Sequence, residues 1–126
     1  MKTLLELELP GLPPTVNHLY RSMKSGRRYK TAEGRDYQEQ VSLLMRKTVQ
    51  GDIPNYNSLE LEILFTVKDK RRWDIDNRVK ALQDCLTMAG IIHDDSQIDA
   101  LHVRRKRTSA PSSTYIRVSE CEEQAV

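Results

Sequence analysis

The sequence predicts an α+β fold in one domain, with two helices packed on a mixed or mostly antiparallel sheet. Apolar residues recur with strand-like and helix-like spacing in the order strand, helix, strand, helix and then two strands. A chain of 126 residues is long enough for one hydrophobic core. No repeat, linker or low-complexity tract divides the sequence, so we expect a single domain over residues 1–126, with a frayed tail at about 120–126.

The first predicted strand lies at the start of the chain. Leucine and glutamate alternate from position 5 to position 9, which is the period of a strand with one buried face, and Pro10 ends the alternation. The proline-rich segment PGLPPTVNH that follows is expected to form an ordered turn or loop. The next segment, from Arg21 to Lys30, is basic and has no clear period, so we expect a mobile loop there.

The first predicted helix follows Thr31, a favourable N-cap residue. Its apolar face is expected to consist of Tyr37, Val41, Leu44, Met45 and Thr48, which recur at intervals of three and four residues. Gly51 is expected to end this helix and Pro54 to prevent it from continuing.

The second strand and the second helix have the clearest patterns. The strand alternates apolar and polar residues from Leu59 to Val67, and Leu64 is the one apolar residue out of phase. The helix has apolar positions at Ile75, Val79, Leu82, Leu86 and Ala89. Gly90 is expected to end it. Two further strands are predicted at Ile98 to Arg105 and at Tyr115 to Val118, on either side of the turn residues TSAPSST.

The cysteine spacing and the lengths of the apolar runs indicate the redox state and the location of the protein. Cys85 and Cys121 lack a metal-ligand spacing, and we expect both to be reduced thiols, with Cys85 on the buried face of the second helix. No apolar run approaches the length of about 18 residues that spans a bilayer. We therefore expect a cytoplasmic protein without a membrane partner.

Cations are concentrated in three short stretches, although the net charge is only +2. Five of the 20 Lys and Arg residues lie in Arg21 to Lys30, four in Lys68 to Arg72 and four in Arg104 to Arg107. Such patches attract phosphate backbones, although one patch alone is more often a solvated surface. The candidate DNA-contacting residues are Arg27, Arg28, Lys30, Lys70, Arg71, Arg72, Arg104 and Arg105.

Two carboxylates directly follow the second basic patch. In an extended chain Asp74 and Asp76 project to the same side, roughly 6.5 Å apart, and could bind one cation. Mg²⁺ prefers oxygen ligands and usually retains several waters, which leaves positions for a substrate phosphate. Asp94 or Asp95, after the second helix, could supply a third ligand if that loop folds across the start of the helix.

Lys80 is expected on the same helical face as Asp76 and Asp84, one turn from the proposed cation site. There it could stabilise negative charge that develops on a phosphate. The structural alternatives are an ordinary Asp–Lys surface pair, Asp76 as an N-cap, and the acids at 94 and 95 as turn residues. Trp73 could stack on a base, but anchoring the loop in the core is the favoured interpretation.

Three segments together resemble the RusA family of Holliday-junction resolvases: LPGLPPTVNHLYR, TAEGRDY and, above all, DIDNRVKALQDCLTMAGIIHDD. The resemblance implies a homodimer that binds four-way junction DNA and makes paired symmetric nicks in a Mg²⁺-dependent reaction, with Mn²⁺ as a substitute. It also implies that the essential carboxylates are Asp74, Asp76 and Asp95, that these bind the metal, and that the essential lysine is Lys80. Asn77 would have a supporting role.

Two other function classes remain open from the residues. The first is a non-catalytic nucleic-acid-binding module, in which the acids only cap a helix and balance charge. It predicts salt-sensitive binding and no cleavage. The second is a small-molecule phosphohydrolase with an aspartyl nucleophile, which is disfavoured because Asn77 and Arg78 do not continue the usual pattern of such enzymes.

Overall fold

A computed structural model describes residues 3–50, 58–68 and 73–121 of the chain. In chain order the elements are β1 (Thr3–Pro10), α1 (Val16–Leu19), β2 (Tyr20–Ser22), β3 (Arg28–Lys30), α2 (Ala32–Thr48), β4 (Leu59–Val67), α3 (Val79–Met88), β5 (Ile98–Arg107) and β6 (Ser113–Glu120). Two 3₁₀ turns, Ile75–Arg78 and Asp95–Gln97, precede α3 and β5.

The main sheet has the strand order β1-β6-β4-β5 and is mixed. β6 pairs antiparallel with both β1 and β4, whereas β5 pairs parallel to β4. Ile63 at the centre of β4 is thus opposite Ile116 on one side and Val103 on the other. The predicted α+β class with a mixed sheet is confirmed.

The core lies between one face of this sheet and the helices α2 and α3. Alternate residues of β4 are fully buried, as the sequence predicted, and Leu64 lies half-buried on the opposite face. From the helices, Met45 and Leu82 pack into the same cluster. Cys85 is also completely buried there, which confirms its predicted place. Among the helices that the structure describes, none combines the length and the apolar character needed to cross a membrane.

Helix α2 begins where the sequence predicted, and the face that it turns to the core overlaps with the predicted face but is not identical to it. The hydroxyl of Thr31 accepts a hydrogen bond from the Gly34 N–H at 3.0 Å, which confirms the N-cap. Leu44, expected inside, is 43 % exposed. Val41 and Met45 are buried and Tyr37 packs against the core, as predicted. The prediction was wrong for Leu44 and missed Gly34, Gln38 and Ser42, because small and hydrogen-bonded polar residues form much of the inner face. The expected stop at Gly51 and Pro54 lies outside the described residues.

Gly34 shows why this face contains small residues. A Cβ at that position would lie 2.8 Å from Cδ1 and 2.9 Å from the carbonyl oxygen of Leu19. The close approach joins α2 to α1, a one-turn helix in the segment expected to be only a turn or loop. The described residues therefore contain three α-helices, one more than predicted.

The basic segment from Arg21 to Lys30 is not the irregular loop that was expected. Its ends form an antiparallel hairpin in which Tyr20 is opposite Lys30 and Ser22 is opposite Arg28. Gly26 has φ +84° and its N–H bonds to the Met23 carbonyl at 2.9 Å, which closes the turn. Three-residue strands without buried residues leave no periodic signal in a sequence.

Helix α3 starts later than predicted. Asp76 lies in the preceding 3₁₀ turn, where the Val79 N–H bonds to the Asp76 carbonyl, and the N-cap of α3 is Arg78. Asp76 is therefore neither an N-cap nor part of the helical face that contains Lys80. The helix ends as predicted at Gly90, which has φ +76°.

The C-terminal strand is longer than expected. Glu120 belongs to β6, and the Cys121 N–H donates to the Ser58 carbonyl at 3.1 Å. The predicted fraying is thus wrong for these two residues, and the remainder of that tail lies outside the described residues.

Candidate functional site

Trp73 anchors the segment between β4 and α3. Its ring meets Phe65 edge-on, with 5.6 Å between centroids, and lies between the guanidinium groups of Arg78 and Arg105 at 4.8 and 4.9 Å. Arg105 also donates a hydrogen bond of 2.7 Å to the Trp73 carbonyl. Stacking and hydrogen bonding therefore fix the backbone one residue before Asp74, which confirms the predicted anchoring role.

Asp74 and Asp76 project from this anchored segment into solvent. Both are exposed. Within residues 3–50, 58–68 and 73–121, no hydrogen bond or ion pair engages either carboxylate. Asp74 lines a cleft of about 510 Å³ together with Trp73, Arg105 and Arg107. Two neighbouring carboxylates without a protein partner are free to bind a cation.

Lys80, in the first turn of α3, is held between two carboxylates. Its ammonium lies 2.9 Å from Asp84 Oδ1 and 3.3 Å from Asp95 Oδ2. The hydrogen bond to Asp84 raises the pKa of Lys80 above its usual value, although partial burial opposes this shift. The lysine is therefore charged and close to a predicted metal ligand.

Asp84 connects this lysine to two other elements. Its second oxygen accepts the Tyr20 hydroxyl at 2.9 Å and the Gln38 side-chain amide at 3.2 Å. The carbonyl oxygen of that amide accepts Lys30 from the hairpin. Hairpin, α2 and α3 thus meet at one carboxylate, and the cleft of about 430 Å³ beside it is lined by Tyr20, Lys30, Lys80, Asp84, Thr87, Met88, Asp94 and Asp95.

The two acids that follow α3 have different surroundings. Asp94 accepts the Ser96 hydroxyl at 2.6 Å, and its N–H donates to Gln97 Oε1 at 3.1 Å. The hydrogen bond from Ser96 lowers the pKa of Asp94, so this acid has the turn role that was one alternative for it. Asp95 instead faces Lys80 at 3.3 Å, and its predicted role as a metal ligand stays a prediction.

The structure brings some of the predicted site residues together and not others. Lys80 and Asp95 are in contact, whereas Asp74 lies in the other cleft. In the part of the chain that the structure describes, no three His, Cys, Asp or Glu residues form a group that could hold a metal. Asp74 and Asp76 fit Mg²⁺ by donor chemistry, since it often takes one or two carboxylates from a protein and the rest from water and phosphate. The ligand roles stay predictions.

The predicted DNA-contacting cations also differ in their surroundings. Arg27 and Arg28 are exposed on the hairpin, and the Arg28 guanidinium lies 4.8 Å from the centre of the Tyr20 ring. Arg104 is 69 % exposed, whereas its neighbour Arg105 is held against Trp73. Lys70, Arg71 and Arg72 lie outside the described residues.

Sequence reasoning missed two residues of the Asp84 cluster, Tyr20 and Gln38. The available signal for Gln38 was its spacing, because Gly34, Gln38 and Ser42 follow each other at four-residue intervals on α2. A small or polar stripe at that spacing indicates a close or hydrogen-bonded helix contact. Tyr20 gave no comparable signal.

Comparison with known proteins places these features in a family. The family model described as Endodeoxyribonuclease RusA matches residues 10–119. The crossover junction endodeoxyribonuclease rusA of Enterobacteria phage HK97 is 31 % identical over 110 residues, covering 87 % of this chain and 90 % of the phage protein. The RusA protein of Aquifex aeolicus is 26 % identical over 114 residues, covering 90 % of this chain and 90 % of its own length. The RusA protein of Escherichia coli K12 is 36 % identical over 86 residues, covering 68 % of this chain and 70 % of its own length. The chain therefore belongs to the RusA family of endodeoxyribonucleases.

Proposed function

We propose that this protein is a Mg²⁺-dependent endonuclease that resolves four-way DNA junctions by paired symmetric nicks, in recombination and repair. The observation that supports this most directly is the pair of exposed carboxylates, Asp74 and Asp76, on a segment anchored by Trp73 and Arg105. The names of the relatives, crossover junction endodeoxyribonucleases, supply the substrate class.

In this proposal Asp74 and Asp76 hold the metal, and Asp95 supplies a third carboxylate. Carboxylate oxygens suit Mg²⁺, and Mn²⁺ accepts the same donors. When bound, the ion supplies an activated water and offsets negative charge on the phosphate. The carboxylates alone would repel the DNA backbone, so their exposure beside basic residues is consistent with a cation between them and the phosphate.

Lys80 is the residue that would contact the reacting phosphate from the protein side. Its ammonium contacts Asp84 and Asp95, and the side chain is 43 % exposed, so the third N–H can point towards a phosphate oxygen. A fixed cation at this point stabilises charge that develops during cleavage without the cost of reorienting solvent.

The remaining cations would bind the junction arms. Arg27, Arg28 and Arg104 are exposed, and a phosphate contact from each gives affinity that does not depend on sequence. A twofold homodimer would place one site against each of two opposing strands, since its symmetry matches that of a four-way junction.

The test is cleavage of a labelled four-way junction with and without Mg²⁺, beside a linear duplex of the same sequence. We expect paired nicks in the junction alone, and their loss in Asp76→Asn while binding persists. Asp36→Asn, at an exposed position on α2, is the matched control and is expected to cleave normally. Equal cleavage of the duplex would contradict structure selectivity.

A second candidate is a junction-binding module without catalysis. The observation that favours it is that no three metal-ligating side chains converge among the residues described here. It predicts tight, salt-sensitive binding and no nicking with any divalent metal. The same assay therefore decides between the two functions.

A further inference from the structure

We propose that Asp84 is a positioning residue for Lys80, and that Tyr20 and Gln38 hold Asp84 in place so that the position of the lysine depends on the base of the basic hairpin. The inference rests on the proposed function in assigning Lys80 a role at the phosphate. The arrangement of the four side chains is independent of that role.

Three donors converge on the Asp84 carboxylate. Lys80 occupies one oxygen, while the Tyr20 hydroxyl and the Gln38 amide share the other. The Asp84 side chain is 15 % exposed, so it has little access to water and depends on these donors. An ordinary surface pair at this helical spacing would have two solvated members and no further partners.

Gln38 has a buried amide whose two ends face opposite charges. It is completely buried; its oxygen accepts from Lys30 and its nitrogen donates to Asp84. An ammonium can only donate and a carboxylate can only accept, so the amide has one favourable orientation. The amide therefore transmits a fixed geometry from Lys30 on the hairpin to Asp84 on α3.

Tyr20 is the second link to the hairpin. Burial, and then the hydrogen bond to Asp84, raises the pKa of Tyr20, so its hydroxyl stays protonated and can donate. Tyr20 and Lys30 are paired residues at the base of the hairpin. Both links to Asp84 thus start from one rung of this small sheet, which also has Arg28 stacked on the Tyr20 ring.

These contacts restrict the positions that the Lys80 ammonium can adopt. A free lysine side chain has four rotatable bonds and explores many positions. Asp84 cannot follow it, because Tyr20 and Gln38 restrain the carboxylate, so the ammonium is confined to the space between Asp84 and Asp95. DNA that binds to the hairpin would also affect the paired residues Tyr20 and Lys30. The position of the Lys80 ammonium would then depend on how the hairpin packs against α2 and α3.

The experiment compares the wild type with Asp84→Asn and Tyr20→Phe, using single-turnover junction cleavage and junction affinity. We expect Asp84→Asn to lower the cleavage rate by about 10- to 100-fold, the usual effect of a misplaced catalytic group. Tyr20→Phe should lower it less. The Kd for the junction should change by less than about twofold, since the hairpin and Arg104 keep their charges. Asp36→Asn is the matched control.

A second measurement does not depend on cleavage. In protein free of DNA and metal, NMR relaxation of the lysine side-chain ammonium groups reports their mobility. We expect Lys80 to be restricted relative to Lys47, which is exposed on α2, and to become more mobile in Asp84→Asn, although the contact with Asp95 remains. If Asp84→Asn does not fold, Tyr20→Phe is measured in its place. Protection of the buried Cys85 thiol from reaction with a thiol reagent verifies that a variant is folded.

The outcomes separate the two proposals. A wild-type protein that never nicks a junction overturns the proposed function, and the mobility of Lys80 then decides the positioning role alone. Lys80 as mobile as Lys47 in the wild type, or unchanged in the variants, overturns the positioning role. So does a weaker junction affinity that accounts for the whole loss of rate.

Discussion

The two clefts of this protein are stabilised in opposite ways. Beside Asp74 the backbone is fixed, by Trp73 between two guanidinium groups, while the carboxylates themselves lack partners in the described ranges. Beside Asp84 every charged side chain is paired, and the contacts come from the hairpin, α2 and α3. In the cleft beside Asp74 the backbone is held in place and the carboxylates are exposed. In the cleft beside Asp84 the side chains themselves are held in place by their hydrogen bonds and ion pairs.

This difference separates two requirements of a site that acts on phosphate. A carboxylate that must accept a cation cannot already be neutralised by an arginine, so its position is best controlled through the backbone. A lysine that must stay in one place can be held directly by other side chains. The first arrangement leaves two exposed carboxylates that make no described contact and so add nothing to stability.

The largest expected effect distinguishes Asp74 from Asp95. Asp74→Asn should lower junction cleavage by about 10²- to 10³-fold, the range for loss of one electrostatic group at a reacting centre. Its melting temperature should stay equal or rise, because no described contact is lost and repulsion from Asp76 falls. The measurements are single-turnover cleavage and thermal unfolding.

The comparison variant is Asp95→Asn, which should also lower cleavage but free one side of the Lys80 ammonium. An exposed ion pair such as that between Lys80 and Asp95 contributes up to about 1 kcal/mol. The melting temperature of Asp95→Asn should therefore fall slightly. A fall in the melting temperature of Asp74→Asn would show that Asp74 has a structural partner.

The second expected effect concerns the anchor. Trp73→Ala should lower the free energy of unfolding by about 2–4 kcal/mol, because the edge contact with Phe65 and two cation–π contacts disappear. Urea denaturation measures this change. Tyr29→Ala, at an exposed aromatic residue of the hairpin, is the control and should have little effect. An equal effect of both substitutions would contradict the anchoring role.

The third prediction uses adjacent arginines on β5. Arg105→Gln should cost about 1–2 kcal/mol of stability, because the hydrogen bond to the Trp73 carbonyl and the stacking on its ring are lost. Arg104→Gln should change stability by less than about 0.5 kcal/mol, since among the described residues its one ion pair is a long, exposed contact of 3.8 Å with Glu62. Junction affinity should show the reverse order. Equal effects on both properties would contradict the division of roles.

The smallest expected effect concerns the N-terminus of α2, which directly follows the hairpin. The Thr31 hydroxyl donates to the His18 carbonyl at 2.6 Å and accepts from the Gly34 N–H at 3.0 Å. Thr31→Ala should therefore cost about 1 kcal/mol, the usual value of an N-cap. Thr48→Ala, which removes only a bond to the Leu44 carbonyl within the last turn, should be nearly neutral. Thermal unfolding of both variants tests this.

The sequence predicted those parts of the fold whose pattern repeats over many residues. The strand from Leu59 to Val67 and the apolar spacing of α3 are long enough to show their period, and both are confirmed. The hairpin strands are three residues long and exposed, so they show none. The inner face of α2 was only partly predicted: Val41 and Met45 are buried as expected, but Gln38 was missed because it is buried by its hydrogen bonds and not by apolar character.

For the candidate site, the sequence predicted one local contact but not the spatial arrangement of the residues. Local spacing placed Lys80 next to Asp84, which the structure confirms at 2.9 Å. The contact of Lys80 with Asp95, and the separate cleft of Asp74, depend on how β4, α3 and β5 are ordered in space. A sequence pattern contains no information on such distances until the topology is known.

The position of β6 in the sheet has a consequence for how the chain folds during synthesis. β6 is the last of the described strands in chain order, yet it lies between β1 and β4 and pairs Thr3 with Ser119. Until residues 113–120 leave the ribosome, β1 lacks its neighbour in the sheet and β4 has an open edge. Contacts between the two ends of a chain slow folding. We therefore expect the sheet to be completed only once residues 113–120 are available for pairing, in one late step that joins all four strands.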